Sequence, residues 1–83
     1  MQLEILTPLG KAYSGEVYGV QMPGLTGSFE VLNNHAPLVS ALKAGKLKIL
    51  LEKNKQSYFE IESGFVEVLN NKVTVMVEAS RPV

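Results

Sequence analysis

His35 is the only histidine in the chain, and there is no cysteine. A metal site built from several imidazoles or thiolates is therefore out of reach, and a Ser/His/Asp triad would have to be assembled around this one ring. Ser28 and Ser40 lie on either side of it, but neither sits in a nucleophile-elbow pattern. A lone histidine without such a motif fits an ordered loop or an interface better than catalysis. The Pro23-Gly24-Leu25-Thr26-Gly27 segment lacks the Gly-Lys-Ser/Thr ending of a phosphate loop, and no helix is expected behind it. It reads as a turn. Glu16, Glu30, Glu52, Glu60, Glu62, Glu67 and Glu78 are spread over expected solvent faces, without the clustered ligands of a hard-metal site. No catalytic residue, cofactor or metal is expected.

The elements that would position these residues are strands. In Gly45 to Lys53, Leu47, Ile49 and Leu51 share one face, while Lys46, Lys48 and Glu52 take the other. Gln56 to Glu62 continues the alternation with Phe59 and Ile61 inward, and Asn54-Lys55 is the expected turn between the two. Val73, Val75 and Val77 alternate with Thr74, Met76 and Glu78 in a second hairpin. Its other strand is Phe65 to Leu69, joined through Asn70-Asn71, a pair suited to positive φ. The predicted core is Leu47, Ile49, Leu51, Phe59, Ile61, Val73, Val75 and Val77. Nearer the N-terminus, Gln2 to Thr7 reads as a strand, Pro8-Leu9-Gly10 as a turn and Glu16 to Met22 as a further β run. Ala36 to Ala44 carries a short helical stripe, yet Pro37 and Gly45 leave too little length, so a strand is expected.

An internal echo links the two halves: Gly27-Ser28-Phe29-Glu30-Val31-Leu32-Asn33-Asn34 returns in large part as Gly64-Phe65-Val66-Glu67-Val68-Leu69-Asn70-Asn71. Two copies do not build a repeat architecture, so each is read as a glycine start, a strand and an Asn-Asn turn. Their continuations differ. The second copy runs on into a strand, whereas the first enters His35-Ala36-Pro37, where proline has no N–H to give to a ladder, and should end in an exposed, shaped loop.

With 83 residues, the chain is expected to form one domain spanning residues 1–83. Its 46% hydrophobic and 19% charged residues place it in the folding regime. A core this small gives modest stability, which a partner could complete. Eight basic residues balance eight acidic ones, so nucleic acid is an unsuitable partner. Tyr13, Tyr18, Tyr58, Phe29, Phe59 and Phe65 have no interleaved basic groove, which favours packing over base stacking. No stretch approaches the roughly 20 apolar residues of a membrane span, and no basic segment with an apolar run opens the chain, which reads as cytoplasmic. The fold class expected is all-β: a two-sheet antiparallel β-sandwich, or flattened barrel, of roughly eight to ten short strands.

The order of local motifs resembles the N-terminal domain of the ε subunit of F-type ATP synthase. The pieces are Leu3-Glu4-Ile5-Leu6-Thr7-Pro8, Ser14-Gly15-Glu16-Val17, Pro23-Gly24, Asn34-His35-Ala36-Pro37-Leu38, Gly45-Lys46-Leu47, Ser63-Gly64-Phe65-Val66-Glu67-Val68 and Val73-Thr74-Val75. The Asn-His-Ala-Pro-Leu run is the most specific. Glu30 departs from the family's usual glycine, and Asn33 from its proline or similar turn residue. The resemblance implies a noncatalytic central-stalk subunit that links the γ subunit to the c-ring and supports coupling of proton transport to ATP synthesis. It implies a peripheral place at the cytoplasmic face of the bacterial plasma membrane. By analogy, Ser28, Asn33, Asn34 and His35 fall in the loop region facing the c-ring and γ, and Thr7 and Ser40 fall where γ approaches.

Family members usually continue into a C-terminal helical hairpin. Only Glu78-Ala79-Ser80-Arg81-Pro82-Val83 come after Val77 here, fewer than the roughly 12–15 residues of a marginal isolated helix. The C-terminal helical domain is therefore expected to be absent, and with it inhibition of hydrolysis and nucleotide binding. A generic β-domain adaptor for protein interaction is the alternative function. A carrier domain is disfavoured because no lysine sits between methionines or comes after aspartate at a hairpin tip.

Overall fold

Alternation drives the clearest hairpin, β6 (Gly45–Glu52) with β7 (Lys55–Ile61), in which Leu47 faces Phe59 and Lys48 faces Tyr58. Leu47, Ile49, Phe59 and Ile61 are all buried, as the period-2 pattern requires. A computed structural model describes residues 1–83. The other strands are β1 (Gln2–Thr7), β2 (Gly10–Glu16), β3 (Gly19–Gly24), β4 (Gly27–Leu32), β5 (Leu38–Leu42), β8 (Gly64–Leu69), β9 (Lys72–Val77) and β10 (Ser80–Pro82). No helix is present.

The hydrogen-bonded path runs β10-β7-β6-β3-β5-β8-β9-β1-β2, with β4 on the far side of β3. β3 meets β5 through a single pair, Gly24 with Leu42. The path folds there into two five-stranded leaves, β4-β3-β6-β7-β10 and β5-β8-β9-β1-β2. The all-β sandwich is as expected. The expected antiparallel pairing fails at one place, where β1 and β9, from opposite ends of the chain, pair in parallel; the rest are antiparallel. Between the leaves lies one cluster of 17 buried apolar residues drawn from both, including Leu3, Ile5, Val20, Met22, Leu47, Ile49, Val66, Val73 and Val75. Tyr13 of β2 and Phe59 of β7 close part of it edge-to-face, with centroids 5.9 Å apart.

Asn70 and Asn71 have φ of 51° and 59°, so β8 and β9 are joined by a two-residue turn of the primed kind that matches strand twist. Four further expectations differ in detail. The turn after β6 is Lys53-Asn54, because Glu52 pairs with Lys55. A register irregularity between Leu50 and Glu52 leaves Leu51 only half-buried against the core. The run from Glu16 to Met22 is broken at Val17-Tyr18, where β2 ends and β3 begins. Gly10 opens β2 instead of closing the turn, leaving Pro8-Leu9 as its centre.

Candidate functional site

The ladders sort the chain's loops into two ends. At one end, β4 runs out into Asn33-Asn34-His35, next to the Asn70-Asn71 turn and Met1. Asn34 adopts φ 63°, a left-handed conformation that asparagine tolerates. Its N–H donates to Asn71 Oδ1 at 2.7 Å, and the His35 N–H donates to the Leu32 carbonyl at 3.2 Å. The Met1 ammonium donates to Asn33 Oδ1 at 2.7 Å and to the Val17 carbonyl at 3.0 Å, and it pairs with Glu16 at 2.8 Å. The exposed loop is thus held by groups far away in sequence. His35 Nδ1 lies 2.7 Å from the Ala36 carbonyl oxygen. A carbonyl only accepts, so Nδ1 is the donor in this contact and Nε2 is the ring nitrogen left for another partner.

At the opposite end, Thr7 braces the β1–β2 turn: its Oγ1 accepts from the Leu9 N–H and donates to the Gly10 carbonyl, both at 3.2 Å. Thr7 also lines an open groove of about 590 Å³ with Leu6, Ala41, Phe65 and Met76. Ser28 and Ser40 line a second groove, of about 450 Å³, with Thr26, Phe29 and Leu38. Ala41 belongs to both grooves. The six candidate residues therefore fall into three places. Ser28 and Asn33 are separated by five steps along β4, about 16 Å at the usual strand rise.

At the Thr7 end the outer face of one leaf carries a feature that no chemical motif marks. Ala41, Phe65, Met76 and Leu6 stand side by side across β5, β8, β9 and β1. Phe65 is 57% exposed, Met76 43%, and nearby Val39 on β5 73%. These side chains occupy the outward parity, where a leaf facing water should be polar. The signal was present in Gly64–Leu69 and Lys72–Val77, which carry apolar residues on both faces. Beside the row, Glu4 Oε2 lies 3.1 Å from Lys11 Nζ, and Oε1 lies 3.5 Å from Lys72 Nζ. The hydrogen bond from Lys11, with the charges of both lysines, holds the Glu4 carboxyl below its ordinary value, outweighing the opposing loss of solvation. No group of three or more His, Cys, Asp or Glu side chains is gathered as a metal site.

Residues 1–82 match the family model described as "ATP synthase, Delta/Epsilon chain, beta-sandwich domain". The chain belongs to this family. It is similar to an ATP synthase epsilon chain of Chlorobium limicola, 44% identical over 77 residues that cover 93% of this chain and 88% of that one. Its fold is similar to that of a chain in the mitochondrial ATP synthase of Euglena gracilis, solved with OSCP, F1 and c-ring. The TM-score is 0.90 at 22% identity, covering 96% of this chain and 51% of that one. It is similar again to a chain in the central stalk and c-ring of the Tetrahymena thermophila mitochondrial enzyme, with TM-score 0.81 at 22% identity, covering 98% of this chain and 65% of that one. The chain thus spans about half to two thirds of the solved chains. An epsilon-type chain is a noncatalytic subunit, in keeping with a surface shaped for contact.

Proposed function

We propose that the chain works as a noncatalytic central-stalk subunit of F-type ATP synthase, joining the γ subunit to the c-ring and supporting the coupling of proton transport to ATP synthesis. The observation that carries this is the exposed apolar face formed by Phe65 and Met76, with Val39 near them, on a member of the delta/epsilon family. Contiguous apolar surface on a small domain marks a place for another protein. The row and the grooves at its margin, with Thr7 and Ser40, serve as the γ-facing surface. Ser28, Asn33, Asn34 and His35 serve contact with the c-ring and γ. The complex holds the chain peripherally at the cytoplasmic face of the bacterial plasma membrane, and no helix of the chain is long and apolar enough to cross it.

The test is co-purification with γ and c-ring subunits. Phe65→Glu places a charge where a buried aromatic would anchor the interface and should weaken association by at least tenfold, as loss of a binding hot spot does, while thermal unfolding of the chain changes little. Full binding by Phe65→Glu together with Val39→Glu would remove the outer face of this leaf from the interface.

A further inference from the structure

The two copies of the internal echo meet in space. Asn34 ends the first and Asn71 the second, and the Asn34 N–H donates to Asn71 Oδ1 across 37 residues of chain. Asn71 thus has two separable tasks. Its backbone supplies positive φ to the β8–β9 turn, which glycine does equally well, since Asn-Gly is a preferred sequence for such a turn. Its side chain satisfies a donor in a different loop, which glycine cannot do. We propose that Asn71 is a positioning residue for partner recognition. Its Oδ1 fixes Asn34 and so presets the Asn33–His35 loop, which presents His35 Nε2 to a hydrogen-bonding group on the stalk. The inference rests on the stalk function proposed above and adds a residue to it. A preset loop binds more tightly because its ordering is not charged to the binding step.

Asn71→Gly separates the two tasks. It should leave the melting temperature unchanged or raised, speed amide exchange at Asn34 roughly fivefold through loss of one hydrogen bond, and weaken docking of the chain onto a γ–c-ring stalk several-fold. Asn71→Asp keeps an acceptor oxygen and tolerance of positive φ, so it should restore both exchange protection and docking. Unchanged exchange at Asn34 in Asn71→Gly overturns the proposal. Faster exchange with undiminished docking, measured beside a weakened His35→Ala chain, also overturns it while the stalk function stands. Docking that neither Asn71→Gly nor His35→Ala alters removes the inference and the loop's part in that function together.

Discussion

Ile49 is fully enclosed between the leaves, and shortening it to alanine should cost about 2–5 kcal/mol through lost burial and the cavity left behind. Denaturant titration reads this directly; a negligible change in midpoint would mean that Ile49 does not face the core. Glu4 behaves differently because its contribution depends on charge. Its folded carboxyl lies below the ordinary value of 4.5, set first by the hydrogen bond from Lys11. The stabilisation is therefore fully present above the unfolded carboxyl's value and is lost as pH falls through the folded one. Glu4→Gln should consequently narrow the gap in stability between neutral pH and pH below 4.5, and high salt should narrow it in the parent chain. An acid limb that is steeper in Glu4→Gln would contradict the pairing. The exposed loop that carries His35 was legible in the sequence because Pro37 breaks the ladder beside it. The clamps on Asn33 and Asn34 were not legible, since their partners, Met1 and Asn71, lie 32 and 37 residues away along the chain.

At the scale of elements, β6, β7, β8 and β9 were legible because buried and exposed residues alternate cleanly in them. β2 was not, since Gly10–Glu16 carries one half-buried aromatic, Tyr13, and otherwise polar or small residues at a leaf's edge. β10 is three residues long and contains Pro82, and only its pairing with β7 makes it a strand. The parallel pairing of β1 with β9 joins opposite ends of the chain, and no local pattern encodes it. Close approach leaves its mark at Gly64, where an added Cβ would run into the Met76 carbonyl oxygen and lie 2.7 Å from Val77 Cα. Gly64→Ala should therefore destabilise the β8–β9 pair by about 1–3 kcal/mol, the usual range for overpacking. A melting temperature equal to the parent's would show that the ladder can open there without cost.

For the whole molecule, 17 core residues shared by both leaves link every large hairpin to the same cluster. Unfolding should be a single cooperative transition, with coincident far-ultraviolet and tyrosine signals, and a far-ultraviolet spectrum free of helical character. A core shared by both leaves would suit the proposed stalk role, because an apolar face and a pinned loop hold their geometry only if the leaves do not slide. The most direct measurement adds this 83-residue chain to a bacterial F-type ATP synthase stripped of its ε subunit, tracking ATP hydrolysis and ATP-driven proton pumping together. The chain should join the stalk and raise the protons pumped per ATP, and Phe65→Glu should do neither. Pumping that stays at the depleted level with saturating chain, or that Phe65→Glu restores as well as the parent, would contradict it.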